Sequence, residues 1–233
     1  MNKRIEGLLF ERGADIVRFV DISGLPEEQT QGFAKAVVFC GAFSKDFIIA
    51  VRDGEKTGYE FSAMERETDM TADWLADFLR DEGYRAYSQS EFSIEQSGSY
   101  DEDALSSRLP HKTIARLAGL GYIGKNNLLI NEEFGCAFSM CSVLTDAPVV
   151  PESHAIVFAE CGDCDVCKEV CPGNAIAGNE WSESAGREGV VDVFKCKCAL
   201  KCIVNCPKTL AYAGQGGAGK SAAPVEAEQE GEE

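Results

Sequence analysis

The fold and chemistry of this chain are decided by the stretch Cys161-Gly-Asp-Cys164-Asp-Val-Cys167-Lys-Glu-Val-Cys171-Pro172. Three cysteines stand at intervals of three, and a fourth follows four residues later, directly before a proline. This spacing is typical of the bacterial ligand run for a [4Fe–4S] cluster. A second group ends in the same way, before Pro207, and consists of Cys196, Cys198, Cys202 and Cys206.

Two such runs predict a crossed set of ligands. In proteins with two clusters of this kind, the fourth cysteine of each run binds the cluster of the other run. One predicted cluster is therefore held by Cys161, Cys164, Cys167 and Cys206. The other is held by Cys196, Cys198, Cys202 and Cys171. A protein with these two clusters is expected to handle single electrons.

Zinc sites and disulfides are two other uses of cysteine that fit this spacing less well. Zinc also binds four thiolates, but usually through two well-separated pairs. Disulfides fit an odd count of 11 poorly, and the segment Met1–Phe10 contains too short an apolar run for a secretory leader. The second run departs from the ideal spacing, because one residue separates Cys196 from Cys198 and three separate Cys198 from Cys202. A single cluster with spare thiols is therefore a further alternative.

Size and charge limit the possible functions. A length of 233 residues allows one mid-sized domain and a small cluster module. The net charge is −17, and five of the negative charges lie in the glutamate-rich tail. Nucleic acid is an improbable partner, because proteins bind it mainly through lysine and arginine. No apolar run reaches the roughly 18 residues of a membrane span. The expectation is a cytoplasmic protein that keeps its thiols reduced.

The periodicity of apolar residues predicts an α/β class. Short apolar runs at 14–20, 35–41 and 139–144 indicate strands, as does the shorter run 127–130. Residues 61–82 and 110–118 are expected to be helical, and 89–108 to form a long polar loop. The long helix carries a stripe predicted to be core: Met70, Trp74, Leu75, Phe78 and Leu79. We expect an α/β domain over 1–158, a ferredoxin-like module over 159–212 docked on it, and a disordered acidic tail over 213–233.

A glycine segment precedes the cysteine runs. Gly119, Gly121 and Gly124 match the pattern G-x-G-x-x-G. In dinucleotide-binding proteins this pattern follows a strand and opens a helix, whereas here it follows a helix and leads into a strand. A nicotinamide cofactor is therefore not expected at this site. The glycines either form a tight turn or let the backbone approach a large cofactor, with Lys125 as a contact to an anionic group.

One segment and the double cysteine run after it resemble the tRNA epoxyqueuosine reductase family. The segment is His111-Lys-Thr-Ile-Ala-Arg-Leu-Ala-Gly-Leu-Gly-Tyr-Ile-Gly-Lys-Asn126. The resemblance extends over about residues 10–210. It implies an oxidoreductase in which two [4Fe–4S] clusters pass electrons to a corrinoid (cobalamin), as in the related reductive dehalogenases. Such a cofactor performs the difficult chemistry while the protein positions it.

Two departures from the family point to a shorter relative with a small-molecule substrate. The family's general-acid aspartate aligns without gaps with Leu105, and Asp101 and Asp103 lie nearby. Further helical sequence that the family carries after the clusters is not found in this chain. The alternative is a cofactor-free electron carrier that docks a redox partner protein.

Three other residues are candidates of lower specificity. Cys136 and Cys141 lie where the family usually has no cysteine, and they could form a redox pair or bind metal. Residues five apart on a strand face opposite sides, so two separately buried thiols are the simpler expectation. His111, at a helix start, is more typical of a polar residue near the cap than of a ligand.

Overall fold

A computed structural model describes residues 1–55 and 58–215. The four strands of the main sheet are β1 (Ile16–Asp21), β2 (Lys35–Ala42), β3 (Ala86–Ser88) and β8 (Phe138–Thr145). Two small hairpins are built from β4 (Tyr100–Asp101) with β5 (Ser106–Ser107), and from β6 (Tyr122–Ile123) with β7 (Leu129–Ile130). The helices are α1 (Asn2–Phe10), α2 (Glu27–Thr30), α3 (Lys45–Arg52), α4 (Gly58–Asp81), α5 (Glu91–Gln96), α6 (His111–Leu117), α7 (Val166–Glu169), α8 (Lys201–Val204) and α9 (Pro207–Tyr212). A 3₁₀ turn covers Val193–Lys195.

The main sheet has the strand order β1-β2-β8-β3, and all of its pairs are antiparallel. Its faces follow the two-residue alternation of strand side chains. On β2, Val37 and Phe39 pack with Leu75 of α4, whereas Val38 packs on the opposite side with Ile114 of α6. The sheet therefore lies between two layers of helices, and the predicted mixture of helix and sheet is confirmed.

Two sequence predictions need correction in this region. In the predicted core stripe of α4, Leu75 and Leu79 are buried and Trp74 and Phe78 are partly buried, but Met70 is 63% exposed because it lies on the opposite face of the helix. The expected loop over 89–108 contains α5 and the β4–β5 hairpin. Ser90 caps α5 by accepting a hydrogen bond from the Ser93 N–H, which polar residues can do without an apolar pattern.

The cysteine-rich segment packs on the first part of the chain. Phe47 and Ile48 of α3 share a buried cluster with Ile203 and Val204 of α8. The predicted tail falls largely on residues 216–233, which lie outside the described residues. The domain boundaries at 158 and 212 stay predictions. Within residues 1–55 and 58–215, no helix combines the length and apolar character of a membrane span.

Candidate functional site

The first cysteine group comprises three cysteines of the first run and one from the second: Cys161, Cys164, Cys167 and Cys206. Cys167 lies in α7, and Cys206 directly precedes Pro207, the first residue of α9. Burial raises the pKa of Cys167 to about 11. Negative charge on the other three thiols of the group adds to this rise. The four sulfur atoms therefore lie near one another.

The second cysteine group comprises Cys196, Cys198 and Cys202 together with Cys171. Burial raises the pKa of Cys202 to about 12, and charge on Cys196, Cys167 and Cys171 adds to the rise. Cys196 and Cys198 are exposed, and the N–H of Cys198 donates to the Cys196 Sγ over 3.4 Å. Charge thus relates Cys206 to Cys167 of the first run and Cys171 to Cys202 of the second, and Cys167 also affects Cys202. The assignment of the eight cysteines to two clusters stays a prediction.

A glycine after the first run lets the two runs meet. A Cβ atom at Gly173 would collide with the carbonyl oxygen of Lys195, directly before the second run. The N–H of Ala175 donates to the Cys171 Sγ over 3.3 Å. Hydrogen bonds of this kind stabilise negative charge on a thiolate. Among the described residues, no three His, Cys, Asp or Glu side chains form a group arranged to hold a single metal ion.

Cys206 carries the most stabilised thiolate of the two groups. Its pKa is lowered to about 6, first by a hydrogen bond from the Cys136 thiol. Burial of Cys206 opposes this shift, while hydrogen bonds from the Thr209 and Lys208 N–H groups at the start of α9 add to it. Sequence reasoning did not identify this role of Cys136.

The glycine segment follows α6 and enters β6, as predicted, and it packs against the chain itself. A Cβ at Gly121 would collide with the Ile130 carbonyl oxygen, and one at Gly124 with the Ile130 side chain. A Cβ at Gly119 would lie 2.6 Å from the Cβ of His154. These glycines allow the β6–β7 hairpin to close tightly.

The same segment contacts the first cysteine group. The N–H of Lys125 and the hydroxyl of Tyr122 both hydrogen-bond to Cys161 and favour its thiolate, although burial is the larger effect and raises the pKa of Cys161. The Lys125 Nζ forms an ion pair of 2.8 Å with Asp165, next to α7, and the lysine side chain is 8% exposed. The contacts of Lys125 therefore join the glycine segment to the first cysteine run. Its role as a contact to a cofactor stays a prediction.

Cys136 and Cys141 lie on different sides of the molecule. Cys136 belongs to the buried cluster that contains Cys206, whereas Cys141 faces α4 from the main sheet. Burial raises the pKa of Cys141 well above its ordinary value, and the nearby Asp69 adds to this effect. The two thiols are each buried separately and do not form a pair.

A cavity of about 390 Å³ opens between α4, α5, the β4–β5 hairpin and the start of α6. Its titratable lining residues are Glu65, Asp69, Glu91, Glu95, Tyr100 and His111. The pKa of Glu65 is raised to about 7, first by burial and then by the charges of Glu91 and Asp69. The charge of Glu65 also raises the pKa of Cys198, after burial and Cys196. The cavity is therefore within electrostatic reach of the second cysteine group.

A chain of hydrogen bonds fixes the ring of His111. Gln89 Nε2 donates to the Leu109 carbonyl oxygen over 2.9 Å, so Gln89 Oε1 faces Ser142 and accepts its hydroxyl proton over 2.9 Å. The Ser142 oxygen lies 2.8 Å from His111 Nδ1 and is left as an acceptor. The proton is therefore assigned to Nδ1, and Nε2 keeps its lone pair. Burial lowers the pKa of His111 to about 4, so the ring is neutral at pH 7.

The hairpin beside the cavity carries the residues that align with the family's acid. Leu105 lies at its turn with φ of 50°, in the left-handed region. Arg187, from between the two cysteine runs, donates to the carbonyl oxygens of Ala104 and Leu105 over 2.8 Å each. Asp101 and Asp103 line a neighbouring open cavity of about 600 Å³.

Comparison with known proteins finds similarity to two kinds of reductase. No protein-family model matches it. Epoxyqueuosine reductase of Pseudomonas aeruginosa is 40% identical over 67 residues, which are 29% of this chain and 18% of that enzyme. The enzyme of that name from Aliivibrio fischeri is 33% identical over 106 residues, which are 46% of this chain and 25% of that enzyme. The matches thus span a quarter or less of these curated relatives.

Solved structures extend the similarity to 90% of the chain. A catabolic reductive dehalogenase superposes with a TM-score of 0.66 at 21% identity, over 90% of this chain and 32% of the other. Epoxyqueuosine reductase of Streptococcus thermophilus gives a TM-score of 0.56 at 15% identity, over 90% of this chain and 66% of the other. The chain shares the fold of these two kinds of protein. The resemblance to the epoxyqueuosine reductase family is confirmed by both comparisons.

Proposed function

We propose that this protein is an oxidoreductase that passes single electrons through two [4Fe–4S] clusters to a reducible small molecule. The observation that supports the proposal is that the two cysteine runs lie together: charge on Cys206 raises the pKa of Cys167 in the first run, and charge on Cys171 raises that of Cys202 in the second. In the proposed assignment, each cluster combines three neighbours in sequence with one cysteine from the other run. That is the arrangement that two-cluster proteins use. The donor set fits iron–sulfur clusters, since all eight ligands are thiols.

Two charge effects support a direction of electron flow. Glu65 in the cavity raises the pKa of Cys198 in the second group, and Cys167 of the first group raises the pKa of Cys202 in the second. We propose that a redox partner protein delivers electrons to the first cluster. The second cluster then passes them to an acceptor in the cavity. The carboxyl group of Glu65, with its pKa of about 7, is suited to hold a proton at the cavity until the acceptor is reduced.

A corrinoid is the cofactor that the fold relatives suggest. A reductive dehalogenase for which B12-dependent dehalogenation is described superposes with a TM-score of 0.64 at 22% identity, over 88% of this chain and 31% of the other. Bound to this chain, a corrinoid would supply a cobalt centre that accepts single electrons. The cavity of about 390 Å³ is small for it, since pockets for drug-sized ligands already reach about 1,000 Å³.

More space becomes available if the β4–β5 hairpin moves. Ser106 and Ser107 separate the 390 Å³ cavity from a second one of about 440 Å³. A corrinoid would thus be held between Ser106, Ser107 and His111 only in a form of the protein with a displaced hairpin. The predicted cofactor contact at the glycine segment and Lys125 is not part of this arrangement, since the glycines pack on Ile130 and Lys125 pairs with Asp165.

The test is anaerobic purification followed by iron and sulfide analysis and a titration with cobalamin. The proposal expects about 8 irons per chain, because each of two cubanes holds four. A change in the visible spectrum of added cobalamin would support the corrinoid. Iron without a cobalamin response would favour the alternative, an electron carrier that docks a partner enzyme. Tightly bound zinc without iron would overturn the proposal.

One observation favours the alternative. Phe158 is 82% exposed three residues before Cys161, and Phe194 is 67% exposed two residues before Cys196. Exposed aromatic side chains beside a redox centre suit contact with another protein. Under this alternative, reduced protein would transfer electrons to a partner enzyme and would not reduce a small molecule by itself.

A further inference from the structure

We propose that the cavity of about 440 Å³ beside the β4–β5 hairpin binds a small organic acid, whose carboxylate or phosphate group pairs with Lys112 and Arg187. The inference goes beyond the proposed function, because binding at this cavity requires neither a cluster nor a corrinoid. Three features carry it: a partly buried lysine without an ion pair, a second positive charge at the same cavity, and an apolar lining.

Lys112 presents a positive charge that the protein itself does not neutralise. Its side chain is partly buried in the first turn of α6, and burial lowers its pKa to about 8. The Lys112 Nζ donates to the Asn127 carbonyl oxygen over 2.9 Å. Within residues 1–55 and 58–215, no carboxylate forms an ion pair with it. Because an ammonium group carries three hydrogens, it can also donate to a bound molecule.

Arg187 brings a second positive charge to the same cavity. The carbonyl oxygens of Ala104 and Leu105 hold its guanidinium in place over 2.8 Å each. After burial, the charge of Arg187 is the next cause that lowers the pKa of Lys112. Glu188 opposes this effect only from the outside, because its side chain pairs with Arg187 at 3.2 Å but is 76% exposed. An oxyanion bound by both cations would remove their repulsion and form charge-assisted hydrogen bonds.

The rest of the lining indicates what kind of molecule carries the oxyanion. Leu105, Pro110 and Val193 are apolar, and Ser106 and Ser107 supply hydroxyl groups. Apolar walls with a few polar groups are typical of cavities that bind small organic molecules. The cavity of about 390 Å³ on the other side of these serines is lined by several carboxyl groups, which would repel an acid. An organic acid is therefore assigned to the cavity of Lys112 and Arg187.

The test is isothermal titration calorimetry of the anaerobically purified full chain with hexanoate, hexyl phosphate and the neutral hexanamide. At least one of the acids should bind more tightly than hexanamide, and the tighter acid identifies the oxyanion. In Lys112→Gln, binding of that acid should weaken by about tenfold or more through the loss of a charge-assisted hydrogen bond, and binding of hexanamide should stay the same. Lys3→Gln is the matched control, because it removes the same charge from an exposed position in α1.

Reductive methylation followed by mass spectrometry locates the site in the wild type without a substitution. The bound acid should slow methylation of Lys112 and leave that of Lys3 unchanged. The inference would be overturned if neither acid bound, if acid and hexanamide bound equally, or if Lys112→Gln and Lys3→Gln had equal effects. Should Lys112→Gln not fold, methylation of Lys112 at the same rate with and without the acid would overturn it. Iron analysis of the same samples tests the proposed function, so the two can fail independently.

Discussion

At the scale of single residues, backbone contacts of glycine decide how the site is assembled. Gly121 and Gly173 each press against a carbonyl oxygen of another segment, Ile130 in one case and Lys195 in the other. The first contact closes the hairpin that reaches Cys161, and the second joins the two cysteine runs. Sequence marks these positions as glycine, but only the fold shows that the reason is close packing of the chain.

Gly121→Ala is expected to destabilise the protein by about 1–3 kcal/mol, because the added methyl group overpacks a rigid backbone contact. Gly7→Ala is a matched control. Gly7 lies in α1 with nothing within 4 Å of an added Cβ, so alanine should gain about 0.5–1 kcal/mol from helix propensity. Apparent unfolding temperatures at one heating rate would compare them. Equal effects of the two changes would contradict the packing argument.

His111 should make the protein sensitive to acid. Its folded-state pKa of about 4 lies below the ordinary value of 6.5, so the unfolded chain takes up a proton first as the pH falls. This contribution is absent above pH 6.5 and costs stability progressively from pH 6.5 down to 4, by at most about 3 kcal/mol. The expected result is a shallower loss of unfolding temperature in His111→Gln over this range. Parallel pH profiles for the two proteins would refute it.

At the scale of secondary-structure elements, three short helices position cysteines of the two predicted cluster sites. Cys167 lies in α7, and Cys202 lies in α8. Cys206 directly precedes α9, yet its charge raises the pKa of Cys167 in α7. The spacing of the runs predicts an exchange of the fourth ligands, and this assignment stays a prediction. The hydrogen bonds of Asn126, Cys136 and Thr209 could not be predicted, since they join segments that are distant in sequence.

Paired alanine substitutions test the exchange. Cys206→Ala and Cys164→Ala should each leave the same surviving cluster, with the same resonance spectrum, because both remove a ligand of the first group. Cys171→Ala and Cys202→Ala should leave the other cluster. The spectra of singly loaded proteins would be compared after anaerobic purification. A match between Cys206→Ala and Cys202→Ala would show that the fourth ligands are not exchanged.

The elements themselves were predicted unevenly. Strands β1, β2 and β8 and helices α4 and α6 follow apolar periodicity, and sequence located each of them within a few residues. Helix α5 and the β4–β5 hairpin escaped prediction, because their polar residues are held by capping and by Arg187. The hydrogen-bonded chain of Gln89, Ser142 and His111 was not predicted either, because it joins residues that are distant in sequence.

At the scale of the whole molecule, charge limits the choice of substrate. The full chain carries a net charge of −17, and a polyanion would be repelled. We expect no measurable binding of a tRNA anticodon stem–loop at about 0.15 M salt, where phosphate contacts are already weakened. Fluorescence anisotropy of a labelled stem–loop would check this. Binding that weakened steeply with added salt would instead reveal a local basic surface.

Arg187 links the segment between the two cysteine runs to the β4–β5 hairpin. It lies between the two runs in the sequence and donates two hydrogen bonds to the tip of the hairpin that borders the cavity. The position of the hairpin is therefore tied to the position of the segment that joins the two cysteine runs. We expect a shift of that segment to release the hairpin and to open one wall of the cavity. Movement near the cysteines and entry of a molecule into the cavity would then be a single coupled event.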